Sequence, residues 1–182
     1  FEQAIVPTGH YPEARSGKKG VEPEAVITAD FDGDRLMFLA AERAGIIGVY
    51  DIATAAAPRL IQMLPSGISP EGLVAIPERG LLATANEVDL REDGLAPAHV
   101  MLFALSDAQP AYPTITSAGT EPLVGWAALS ALTADPAKPG HLFAASDSFL
   151  SAAPTIYTVD ATQKPARISA GLTLTRDGAP AQ

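Results

Sequence analysis

The chain has 182 residues, 47% hydrophobic and 18% charged, a globular composition with room for one sizeable domain. A net charge of −9 opposes nucleic acid and anionic membranes, and the longest apolar runs, such as Ile46 to Tyr50 and Val100 to Leu105, fall far short of the roughly 18 residues of a membrane span. The absence of cysteine excludes disulfides, thiol nucleophiles and thiolate metal sites without assigning a compartment.

The first stretch, "FEQAIVPTGHYPEARSGKKG", has neither an initiator Met nor the charged-then-apolar layout of a signal peptide. It reads as the cut end of a longer product, so that any export signal would lie upstream. Within it, "SGKKG" lacks the glycine spacing and the preceding strand of a phosphate loop and reads as a mobile basic turn. Beyond it, short apolar runs are punctuated by Gly, Pro and Asp. With 15 Gly and 16 Pro in the chain, strands fit better than helices of average length.

The first unit is predicted as strands Glu24 to Ala29, Arg35 to Ala41, Ile46 to Ile52 and Arg59 to Leu64, the first two joined by "DFDGD". That loop lacks the bidentate Glu and spacing of an EF-hand, so a hairpin turn at Asp32-Gly33 is expected. The second unit runs Glu71 to Ile76, Leu81 to Ala85, His99 to Leu105 and Tyr112 to Ser117. The third runs Trp126 to Leu132, His141 to Ala145, Thr155 to Val159 and Ala166 to Leu174. "MFLAAER", "LLATANE" and "LFAASDS" turn polar at the same place, and "VYDI", "LFAL" and "YTVD" close each third strand. Glu24 to Glu71 is 47 residues and Tyr50 to Phe103 is 53. Four short strands per period of about 50 residues predict an all-β, propeller-like fold. A β-sandwich is the alternative, although it requires no repeated internal order. The expected blades are 21–66, 68–119 and 122–176, one partial propeller domain, since closed propellers usually have about four to eight. Open blade edges then favour self-association.

In a blade the first strand lines the central channel, which would bring Glu24 and Glu71 toward a common axis. Converging carboxylates are tolerated when a cation or a basic group lies between them; the other reading is that Pro-Glu opens a solvated strand. The second strands end in Glu42-Arg43, Asn86-Glu87 and Ser146-Asp147. These form a ring of hard donors suited to Ca²⁺ or Mg²⁺, or a set of strands turning polar on leaving the core. "GISPEG" misses the nucleophile elbow by one residue, so Ser69 is not read as a nucleophile. His10, His99 and His141 lack ligand spacing, and Trp126 reads as core filler.

The segments "VEPEAV", "IIGVYDI", "APRLIQML", "SPEGLVAIP" and "LLATANE" resemble the bacterial secreted propellers called choice-of-anchor I, related to LVIVD-repeat proteins, over residues 1–105. "GWAALSAL", "HLFAASDS", "TIYTVD" and "ISAGLTLTRDGAPA" resemble the phytase-like esterase family over residues 125–182. Both resemblances imply export to the periplasm or beyond. Carried over, Glu24 and Glu71 match the Pro-Glu acids, Glu87 the "ANE" element and Asp147 the "SDS" element. Together these imply a metal set of Glu24, Glu71, Glu87 and Asp147 holding Ca²⁺, with Arg43 and Asn86 facing substrate. The phytase-like pattern continues after its "DG" turn into an acidic "EG" element that this chain does not reach, and "GWA" replaces the Pro-Glu motif in the third unit. One implied function is a metal-assisted phosphoesterase acting on a small phosphoester. The alternative is a non-catalytic binding or scaffold propeller.

Overall fold

Alternation of apolar and polar residues and closely spaced turn residues produce antiparallel meanders. The structure, a computed structural model, describes residues 1–108, 114–147 and 154–181, apart from the side chain of residue 180. Its fold is all-β and propeller-like. The described helices are a four-residue α-turn, Glu2–Ile5, and three-residue 3₁₀ turns. The residues fall into two compact units, Phe1 with Ala14–Gln109 and Glu2–Glu13 with Pro110–Gln182.

In the first unit, β1 (Pro23–Phe31), β2 (Asp34–Ala41), β3 (Ile46–Asp51) and β4 (Arg59–Pro65) form a four-stranded sheet in chain order. The β1–β2 connection is the expected Asp-Gly hairpin. Phe31 pairs with Asp34, while Asp32 and Gly33 take φ of 55° and 97°, the left-handed pair that suits a two-residue loop. A second meander holds β5 (Pro70–Ile76), β6 (Leu81–Asn86) and β7 (His99–Ala104). Phe31, Phe38, Ala40, Ile47, Val49 and Leu82 make the buried core, flanked by Ala25 and Ile27 of β1 and by Leu73 and Ala75 of β5. This packing sets the starts of β1 and β5 near one another.

In the second unit, β8 (Ile115–Thr116), β9 (Leu129–Ala134), β10 (His141–Ser146), β11 (Thr155–Asp160) and β12 (Ala166–Thr173) form a sheet of order β8-β12-β11-β10-β9. Tyr157, Val159, Ile168 and Ala144 are its buried centre. A short hairpin of β13 (Thr175–Arg176) and β14 (Ala179–Pro180) follows.

Two strand expectations need correction. The fourth strand of the second unit was expected at Tyr112 to Ser117. Residues 112 and 113 lie outside the described set, and Ile115 and Thr116 pair in parallel with Ala166 and Arg167 of β12. Among the described residues the β5–β7 sheet therefore has three strands. The third unit was expected to begin at Trp126, but its first strand begins at Leu129. Trp126 instead donates from Nε1 to the Pro7 carbonyl at 2.9 Å and packs at the margin of the second core.

The corrected register shows what repeats. Glu22, Ser69 and Ala128 have φ of 53°, 54° and 44°, a left-handed conformation that costs a non-glycine residue about 1–2 kcal/mol. Each carbonyl accepts the backbone N–H of the residue just past the second strand: Glu42 to Glu22 at 2.9 Å, Glu87 to Ser69 at 3.1 Å, Asp147 to Ala128 at 3.0 Å. Strand pairing then starts at Pro23–Ala41, Pro70–Asn86 and Leu129–Ser146, and slips by one residue each time. The extra residues are Glu24, Glu71 and Ser130. The recurring Pro-Glu pair is thus a left-handed residue, a strand start and a bulge, and bulges re-aim side chains. Ser130 takes the third bulge position, where sequence alignment on "GWA" found no counterpart.

Candidate functional site

The turn and bulge of β1, the end of β2, the bulge of β5 and the end of β6 bring five carboxylates of the first unit together. Glu22, Glu24 and Glu42 offer oxygens that all lie within 4.8 Å of one another, and so do Glu42, Glu71 and Glu87. Glu42 belongs to both groups. Three basic side chains answer the first group. Lys19 Nζ reaches Glu22 at 2.6 Å and Glu24 at 3.6 Å, Arg43 Nε reaches Glu22 at 3.0 Å, and Arg15 pairs with Glu22 as well. Hydrogen bonds from Lys19 and Arg43, followed by the Arg15 charge, hold the Glu22 carboxyl at about 2. A buried carboxylate is sustained by such pairing.

The second group has less compensation, from Arg43. Glu42 Oε1 accepts from Arg43 at 2.8 Å and from Ser69 Oγ at 3.1 Å, while Glu71 and Glu87 are exposed acids on the far side. Desolvation, then the facing charges of Glu87 and Glu42, raise the Glu71 carboxyl above the usual range. Three oxygen donors of this kind can share a proton or surround a hard divalent cation, with water completing the six to eight oxygens that calcium takes.

Among the residues expected from sequence, Glu24, Glu71 and Glu87 are brought into this one region. Asp147 occupies the backbone position equivalent to Glu42 and Glu87, in the second unit. Arg43 lies in the region, but its guanidinium is engaged by Glu22 and Glu42. Asn86, expected to face substrate, is 2% exposed. It accepts from Ser66 Oγ at 2.8 Å and donates to the His99 carbonyl at 3.2 Å. It therefore ties the end of β6 to β7 and to the loop before β5. "SGKKG" departs from the mobile turn expected: the Lys18 and Gly20 N–H groups bond the Arg15 carbonyl, and Lys19 meets the carboxylates.

The choice-of-anchor I domain model matches residues 7–55. This stretch carries Arg15, Lys19, Glu22, Glu24, Glu42 and Arg43, the whole basic side of the cluster. A solved structure of a functionally unknown protein from Desulfotomaculum acetoxidans DSM 771 is similar at 13% identity with a TM-score of 0.36, over 85% of this chain and 47% of that one. The chain spans about half the length of that neighbour. No curated protein matches. The phytase-like resemblance of the later stretch is supported by none of these comparisons.

Sequence reasoning missed Glu22, Arg15 and Lys19. Glu22 stands one residue before a proline, where the helical region is disfavoured. The same holds for Ser69 before Pro70. That shared pre-proline position was a signal that both residues serve one backbone role.

Proposed function

We propose that this chain is a non-catalytic, cation-binding part of an exported propeller protein of the choice-of-anchor I kind, working in the periplasm or outside the cell. Glu42, Glu71 and Glu87 hold a divalent cation there, Ca²⁺ by the hardness of the donors. The observation that carries this reading is the convergence of three carboxylates, one from the end of β2 and two from the β5–β6 pair, against which Arg43 is the one basic group paired among the described residues. A bound ion would link the two sheets of the first unit, adding stability by mass action.

The phosphoesterase reading is weaker. It needs a cationic side chain free to meet phosphate, and Arg43 is already shared by two carboxylates. Its polar partner, Asn86, is enclosed by protein. The supporting experiment is calorimetric titration with Ca²⁺. Binding in the range of roughly 10⁻⁴–10⁻³ M, typical of extracellular modules, is expected for the chain and lost in Glu71→Gln. Absence of heat at about 10 mM, well above that range, would overturn the cation reading. Phosphatase turnover by the same sample would restore the enzymatic one.

A further inference from the structure

Glu2–Glu13 belongs to the same compact unit as Pro110–Gln182, although the strands of the first unit lie between them in the chain. The segment pairs with none of the described strands. Its structure is local: the α-turn Glu2–Ile5 runs into the 3₁₀ turn Val6–Thr8, Thr8 Oγ1 donates to the Ile5 carbonyl at 2.7 Å, and Gly9 closes the turn at φ 75°. Attachment centres on Pro7, whose carbonyl accepts the Ser117 N–H at 3.0 Å and the Trp126 Nε1–H at 2.9 Å. Gly9 lies on the indole beside it, where a Cβ would come within 2.5 Å of the ring. The receiving loop is braced without the segment. Ser117 Oγ donates to the Val124 carbonyl at 2.5 Å, Thr120 Oγ1 bonds the Ser117 carbonyl at 3.0 Å and the Val124 N–H at 2.8 Å, and the Tyr157 hydroxyl donates to the Gly125 carbonyl at 3.2 Å.

We propose that residues 2–13 are a latch of the second unit, opening and closing over Trp126 and Ser117 while the β8–β12 sheet stays folded. Opening separates the two N–H donors from the Pro7 carbonyl and lifts Gly9 from the indole, yet it breaks no strand pairing. Such a segment opens at a smaller free energy than the sheet beneath it unfolds. Because one carbonyl serves both donors, Ser117 and Trp126 lose their acceptor together. Closing depends on glycine at position 9 twice over, once for the left-handed φ and once for the missing Cβ. In the open form the half-buried Trp126 ring faces solvent.

Trp126 is the chain's sole tryptophan, so its fluorescence reads the latch in the whole chain. Gly9→Ala should shift the emission to longer wavelength and increase its quenching by acrylamide, with the β-sheet circular dichroism retained. Gly178→Ala is the control, because Gly178 has φ of 81° and nothing within 4 Å of an added Cβ. It carries the same backbone strain and should leave the emission unchanged. Hydrogen exchange of the unaltered chain gives a second reading that needs no substitution. The Ser117 amide and the Trp126 indole N–H should exchange through one shared opening, with less protection than the amides of β11 in the middle of the sheet. Unshifted emission in Gly9→Ala, an equal shift in Gly178→Ala, loss of the sheet signal together with the shift, or protection of Ser117 and Trp126 as high as that of β11 would each overturn the proposal.

Discussion

Replacing Asn86 by alanine separates a structural role from a substrate-facing one. The side chain accepts a 2.8 Å hydrogen bond from Ser66 Oγ and donates a 3.2 Å bond to the His99 carbonyl. A Cβ added at Gly67 would come within 2.7 Å of Asn86 Cγ and 2.2 Å of His99 Nε2, so the surroundings are closely packed. Each hydrogen bond is worth about 1 kcal/mol net, and an acceptor left buried without a donor costs about 1–3 kcal/mol. Ser66 keeps Thr84 as a neighbour at 3.1 Å, so the His99 carbonyl carries the main penalty. Asn86→Ala should therefore cost about 3 kcal/mol, lowering the melting temperature of the first unit by about 15 °C. Thermal melting followed by circular dichroism reads this. A change within about 0.5 kcal/mol, the usual range of a surface substitution, would refute the structural assignment, most clearly if Ca²⁺ or ligand binding were lost instead.

Four further outcomes are expected. Because Glu22 titrates at about 2 in the folded chain against an ordinary 4.5, its stabilisation is fully present above about pH 4.5 and is lost as pH falls toward 2. Urea midpoints of Glu22→Gln should consequently be lower than wild type at neutral pH and converge with it in acid. Glu71 has the opposite sign: its raised pKa means stability falls as pH rises through that value, so Glu71→Gln should raise the melting temperature in chelator at neutral pH while losing the Ca²⁺ increment. Phe38, 4% exposed and packed edge-on to Phe31 at 5.9 Å, should cost about 3–5 kcal/mol on truncation to alanine, measured by urea denaturation. Gly67→Ala should destabilise through its contact with the His99 ring, and a second change, His99→Ala, should recover part of the loss in the same assay.

Most of the strand order was legible because it depends on local signals. The Asp32-Gly33 turn, the prolines at 23 and 70 and the short apolar runs all act within a few residues of themselves. The equivalence of Glu24 and Glu71 was legible too, since a repeat places equivalent residues equivalently: each is the extra residue after a strand-starting proline. The failures occurred where chain geometry overrides one-to-one alignment. Trp126 resembled a strand start by hydrophobicity, yet the left-handed residue that opens the third repeat is Ala128, which has no proline after it to mark it. Ile115 and Thr116 were assigned to the preceding blade by order along the chain, whereas their partner β12 lies some 50 residues later. Asn86 looked like a ligand because its residue type is polar; burial alone distinguishes a strand-end tie from a binding group. Arg15 and Lys19 sit in a glycine-rich turn with no periodicity, so nothing local points them at Glu22.

The central claim is that Glu71 faces Glu42 and Glu87 across a gap suited to a cation. Nuclear magnetic resonance titration of the Glu71 side-chain carboxyl measures this directly, with and without Ca²⁺. In chelator an apparent pKa above the ordinary 4.5 is expected, falling when Ca²⁺ is added because a bound cation favours the ionised form. A Glu71 carboxyl that titrates at its ordinary value and does not respond to Ca²⁺ would contradict the claim.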